Sequence, residues 1–207
     1  MTQGVIWKQL LEFSVPMMIG LIFQQFYNTV DTIVVGQFVG KEALAAVGST
    51  GSICNMLVGL CAGLATGAGV VISQNYGAHD YKKLHDSVHT SIVLTFLMSI
   101  VATIIGILIV DPMLRFMSTP EDVMPQAHTY LTIYFAGVTG LLIYNMGSGI
   151  LRAVGDSRRP LYFLIFSACC NIVLDLLFVV TFHWGVAGVA YATIIAQAGS
   201  AVLVLYV

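Results

Sequence analysis

The sequence predicts an all-α fold: a polytopic membrane protein built as a six-transmembrane-helix bundle. Three observations predict it. Only 9% of the 207 residues are charged, against roughly 25% in a soluble globular domain. Hydrophobic residues make up 58% and mean hydropathy is +0.91, too apolar for the water-facing surface of a monomer. Apolar stretches of the length a helix needs to cross a bilayer, about 20 residues, recur between short polar breaks. They are continuous and rich in Leu, Ile and Ala, whereas barrel strands alternate over segments of about ten residues.

The first span lies near residues 13–38, after a short interfacial lead-in. Its apolar stretch is too long for a signal-peptide core and carries Asn28 and Asp31, which excludes that reading although Ala43-Leu44-Ala45 resembles a cleavage site. Pro16 interrupts it and removes a backbone hydrogen bond, the place for a kink. Gly40-Lys41-Glu42 separates it from the second span, near 44–74, where Gly51, Gly59, Gly63 and Gly67 recur at multiples of four with Asn55 in register. Such a stripe predicts close helix packing. The third span, near 87–110, follows the break Tyr76 to Lys83. His85 and His89 at its entrance have the i, i+4 spacing of a metal pair, with His79 and Asp80 nearby, but solvated interfacial histidines are the simpler reading. Beyond the break Asp111 to Asp122, the fourth span near 123–151 carries Tyr130, Tyr134, Tyr144 and Asn145; the tyrosines read as core packing with satisfied hydroxyls, while Asn145 meets no obvious partner within its own helix. Arg152 to Pro160 leads to the fifth span near 160–182, and His183-Trp184-Gly185 to the sixth near 186–207. The chain stops at Val207 inside an apolar run, which reads as a cut.

An even number of spans puts both ends on one side of the membrane. Lys8, Lys82, Lys83, Arg152, Arg158 and Arg159 fall on that side and only Lys41 and Arg115 opposite, so both ends of this segment are expected in the cytoplasm of a prokaryotic inner membrane. A net charge of -2 excludes a nucleic-acid partner. The four cysteines sit in apolar runs without metal spacing and read as small buried hydrophobes. No enzyme motif is present: there is no H-E-x-x-H, no glycine-rich phosphate loop, and Met146-Gly147-Ser148-Gly149 lacks the first glycine of a serine-hydrolase elbow.

Two carboxylates, Asp31 and Asp175, fall well inside spans, where a charged group costs at least about 2.5 kcal/mol by insertion scales. Such acids mark ion or proton paths, although each also reads as a hydrogen-bonded packing device. At 1.5 Å per residue, Asp31 lies roughly 27 Å along an outward-running first helix, Asp175 roughly 22 Å along the fifth, and Thr193 about 10 Å into the returning sixth. All three belong to the outer half. Asn171 precedes Asp175 by four residues and shares its face. The four form an oxygen-rich cluster suited to Na⁺. Two neighbouring acids in a low dielectric do not both ionise readily, so one of them holding a proton fits equally. Candidate substrate-cavity residues are Asn145, Tyr134, Gln24, Asn28 and Asn55.

These residues, in this order, resemble the multidrug and toxic compound extrusion (MATE) transporters of the flippase-like superfamily. Pro16, Gln24-Gln25-Phe26-Tyr27-Asn28-Thr29-Val30-Asp31, Gly36 and Ala43-Leu44-Ala45-Ala46-Val47-Gly48 are similar to the family's opening helix and turn. Gln74-Asn75-Tyr76-Gly77-Ala78 with Lys82-Lys83-Leu84, and Leu151 to Pro160, resemble its first two cytoplasmic loops. Asn171 to Asp175 and Gly185 to Thr193 resemble its fifth and sixth helices. The resemblance covers the whole chain but only the N-terminal lobe of a twelve-helix transporter, the C-terminal lobe being absent. It implies export of drugs or metabolites by H⁺ or Na⁺ antiport through alternating access, without a cofactor. By position it implies a cation or proton site at Asp31, Asn171, Asp175 and Thr193, as in the DinF-like bacterial and archaeal branch, and a bend of the first helix at Pro16. Partners implied are a small-molecule substrate, membrane lipid, and the missing lobe or a second copy. Two other readings stay open: a lipid-linked oligosaccharide flippase of the same superfamily, and a non-transporting half that scaffolds or homodimerises.

Overall fold

The structure, a computed structural model, describes residues 6–207. Among them all regular structure is helical: α1 (Ile6–Val34) ending in a π-helical turn (Val35–Val39), α2 (Lys41–Gly77), α3 (Tyr81–Phe116), α4 (Met124–Ala136), α5 (Val138–Ala153), α6 (Arg158–Asp175) ending in a second π-helical turn (Leu176–Thr181), and α7 (Gly185–Tyr206). Five helices are long and apolar enough to cross a membrane, and α4 with α5, counted together, make a sixth span bent by 50°. The chain is a multi-pass membrane protein. The outer face of α3 shows what its surface is made for, with Val101, Ile104 and Leu108 exposed, the last at 72%.

The fourth span, expected as one helix, is broken at Gly137. A Cβ at Gly137 would overlap the side chain of Ile194 on α7, so the break sits where α7 presses closest. The hydroxyl of Thr103 on α3 donates to the Phe135 carbonyl at 3.2 Å, satisfying a group that the break exposes. Pro16, in contrast, lies inside a helix that runs unbroken from Ile6 to Val34.

At the end of the bundle that holds Lys8, Lys82, Lys83, Arg152, Arg158 and Arg159, side chains tie the turns. Asp80 accepts from the Lys83 N–H at 3.2 Å and pairs with its ammonium at 3.0 Å, which caps α3 and holds the Asp80 carboxyl below its ordinary range. Gly155 takes a φ of +96° that side chains disfavour, turning the chain so that Asp156 Oδ1 accepts from the Arg158 and Arg159 N–H groups at 3.0 and 3.1 Å. Arg158 pairs with Glu12 of α1.

The close helix crossings are made by α5, not by the α2 stripe. At Gly140 a Cβ would stand 3.0 Å from the Ala198 backbone nitrogen of α7, and at Gly149 a Cβ would stand 3.1 Å from Ala65 of α2. Around Gly51, Gly59, Gly63 and Gly67 nothing lies within 4 Å of a Cβ position. The expected packing stripe therefore faces outward from this bundle. Gly140→Val is expected to lower the stability of the detergent-solubilised protein by about 1–3 kcal/mol, and Gly63→Val to leave it within about 0.5 kcal/mol. Thermal unfolding of the two variants side by side checks this.

Candidate functional site

The ends of α1 and α6 remote from the basic turns each carry one acid and then widen. Asp31 lies four residues before the π-helical turn of α1, and Asp175 immediately before that of α6. The two widened turns pack on each other, and turns of this kind recur at functional sites. The carboxyl groups of Asp31 and Asp175 lie beside one another. Both are buried, Asp175 completely.

Asn171, one turn back on α6, donates from Nδ2 to Thr193 Oγ1 at 3.4 Å, and that hydroxyl donates in turn to the Val189 carbonyl at 3.0 Å. Thus the Thr193 hydroxyl and one N–H of the Asn171 amide are bonded to groups other than the acids. Asp31 Oδ1, both oxygens of Asp175 and Asn171 Oδ1 are buried without any hydrogen-bond partner. The structure brings together Asp31, Asn171, Asp175 and Thr193, as their depths along the helices predict, and makes of them a cluster of acceptors with no donor. Such a cluster is costly in a membrane interior unless a proton or cation joins it.

A cavity of about 180 Å³ adjoins the cluster, running between α1, α5, α6 and α7. Gln24, Asn145, Asn171 and Thr193 line it, as does Pro16. The remaining candidate cavity residues lie elsewhere. Asn28 and Asn55 are exposed on outward faces of α1 and α2. Tyr134 is buried in the core, stacked on Tyr130 with ring centroids 6.1 Å apart. Asn145 does find a partner within its own helix, its Nδ2 donating to the Leu141 carbonyl at 2.8 Å.

Three residues at the site were missed. Tyr27 lines the cavity beside both acids. Gln197 lines it with its Oε1 unpartnered. Arg152, expected only as a loop charge, reaches its loop end. The i, i+4 rule that joined Asn171 to Asp175 also joins Tyr27 to Asp31 and Gln197 to Thr193, so two of the three were within reach of the same argument. The histidines near the start of α3 touch ring to ring, His85 and His89 having centroids 4.5 Å apart and planes tilted by 39°, and among the described residues no group of three or more His, Cys, Asp or Glu side chains is placed to hold a metal.

The profile of the MatE family matches residues 16–177. Over 196 residues the chain is 37% identical to the probable multidrug resistance protein YpnP of Bacillus subtilis, covering 95% of this chain and 44% of that one. It is 25% identical to an FAD transporter of Shewanella oneidensis, covering 82% of this chain and 37% of the relative. An outward-facing structure of a multidrug resistance MATE family transporter of the MOP superfamily superposes with a TM-score of 0.93 at 32% identity, over 98% of this chain and 45% of that one. The chain thus spans less than half the length of the relatives it matches. With a bundle of this shape and a profile match over most of its length, the chain belongs to the MatE family and folds as one lobe of a MATE transporter.

Proposed function

We propose that this chain is the ion-coupling lobe of a secondary active transporter that exports drugs or other organic compounds, cationic ones foremost, by antiport with H⁺ or Na⁺. One observation carries the reading: the buried acceptor cluster at Asp31, Asn171, Asp175 and Thr193. In an apolar bundle such a cluster is stable only when a cation or proton shares it. A site that demands an ion, beside a cavity lined by Gln24, Asn145 and Tyr27, lets ion occupancy bias the position of α1 and with it substrate binding between the two lobes, which is what antiport needs. Pro16 on the wall of that cavity gives α1 a place to bend. The second lobe of the transporter, or a second copy of this one, would cover the outward faces of α1 and α2. The grouping of basic residues at the end formed by the α2–α3 and α5–α6 turns supports placing that end in the cytoplasm.

The test uses the open reading frame that contains this lobe. Ethidium efflux from cells expressing it is expected to fall to background when the H⁺ or the Na⁺ gradient is collapsed, the effective one naming the ion. Asp31→Asn and Asp175→Asn are each expected to abolish that efflux; gradient-driven efflux intact in both would overturn the reading.

The same cluster has a consequence for stability with a definite sign. Asp175→Asn brings amide donors to oxygens that have none, so in Na⁺-free alkaline buffer, where neither a cation nor a proton shares the pair, it is expected to raise stability by about 1–3 kcal/mol. A carboxylate that served only to hold helices together would instead leave the variant less stable, and thermal unfolding in detergent separates the two.

A further inference from the structure

We propose that the cavity between α1, α5, α6 and α7 is a water-filled route from the Arg152–Pro160 loop to the Asp31–Asp175 pair, and that Arg152 closes its loop end to cations. The significance of the route rests on the reading of the acid pair as the coupling site; its existence rests on the geometry that follows.

Size and shape argue for water. Pro160 and Asn171 both line the cavity and lie roughly 17 Å apart along α6. Spread over that length, about 180 Å³ is room for roughly six waters at about 30 Å³ each, and falls short of the roughly 300–1,000 Å³ of sites for drug-sized ligands. The walls require solvent. Ser148 and Asn171, each only 2% exposed, line the cavity with Ser148 Oγ and Asn171 Oδ1 lacking any partner, and Gln197 Oε1 does the same. Buried polar atoms of this kind are satisfied by water.

Charge argues for selection. The acids around the loop are already taken, Glu12 by Arg158 and Asp156 by Arg159 at 3.3 Å. Arg152 donates from Nε to the Ser148 carbonyl at 3.1 Å and, among the described residues, pairs with no carboxylate. An unpaired, half-buried guanidinium on the cavity wall at its loop end repels cations. Water therefore reaches Tyr27 and Asn171, each one turn from its acid, from the loop side, whereas a metal ion has to come and go by another face of the lobe.

The test measures access directly, in the full open reading frame that contains this chain. Ser148→Cys replaces an unpartnered hydroxyl on the cavity wall. Its labelling is followed by the mass added to the peptide that carries position 148, with a negatively charged sulfonatoethyl and a positively charged trimethylammonioethyl methanethiosulfonate. Each rate is divided by that reagent's rate with free cysteine. In inverted membrane vesicles, which present the cytoplasmic face, the negative reagent is expected to react on the order of tenfold faster than the positive one. Arg152→Gln is expected to remove that preference and Arg152→Glu to reverse it. No labelling by either reagent, labelling equally fast in right-side-out vesicles, or equal rates for both charges with Arg152 in place would each overturn the proposal. Should the Arg152 variants fail to assemble, the charge preference in Ser148→Cys alone decides. None of these outcomes bears on whether Asp31→Asn and Asp175→Asn stop efflux, so the two readings fail separately.

Discussion

Hydrocarbon supplies no hydrogen-bond donor, and four acceptor oxygens buried within it are the constraint on which the rest of this lobe depends. Asp31 Oδ1, Asp175 Oδ1 and Oδ2, and Asn171 Oδ1 have no partner in the protein, and neighbouring donors are bonded to other groups, one N–H of the Asn171 amide to Thr193 and the Thr193 hydroxyl to the Val189 carbonyl. Natural cores leave few buried polar atoms unsatisfied. Four at one point, two of them on a single fully buried carboxyl group, are the feature on which the proposed coupling rests.

Holding that place open falls to packing elsewhere. The glycines of α5 let α2 and α7 approach its backbone closely, so the middle of the bundle is rigid. Direct contact of α1 with the bundle is mainly with α6, supplemented by the Glu12–Arg158 pair at one end and by the packed π-helical turns at the other. This asymmetry explains why the acids are split between helices: one sits on the loosely held α1 and one on α6, whose neighbour α7 is well buried.

The architecture was legible in the sequence because hydrophobic length is a strong signal and membrane helices carry it over 20 residues at a time. Five apolar helices, with the bent α4–α5 pair as a sixth span, lie between polar breaks. The break at Gly137 was not legible, since its cause is Ile194 on another helix. For the same reason the α2 glycines misled: a spacing of four marks a flat face but does not say which neighbour, if any, lies against it. Within the site, Asp31, Asn171, Asp175 and Thr193 could be grouped from rise per residue, because depth in a straight helix is arithmetic. Which way a side chain points around the helix is not, and so Asn28 and Asn55 fell on outward faces while Tyr27 and Gln197 were overlooked. The π-helical turns left no trace in composition.

One helix joins the acid pair to the cavity wall. Pro16, Gln24 and Tyr27 of α1 all line the cavity, and Asp31 continues the same helix one turn beyond Tyr27. Any displacement of α1 relative to α6 therefore alters the separation of the two acids and the shape of the cavity together. Neutralising the acids by a proton or a cation changes the force between α1 and α6 at the ends where the π-helical turns meet. The opposite end is pinned by an exposed pair, Glu12 with Arg158, which is weak and screened by salt. In the proposed coupling, a change of charge at Asp31 would act on cavity shape through α1, which lines the cavity and contacts the bundle mainly at α6, without any contact between the ion and whatever occupies the cavity.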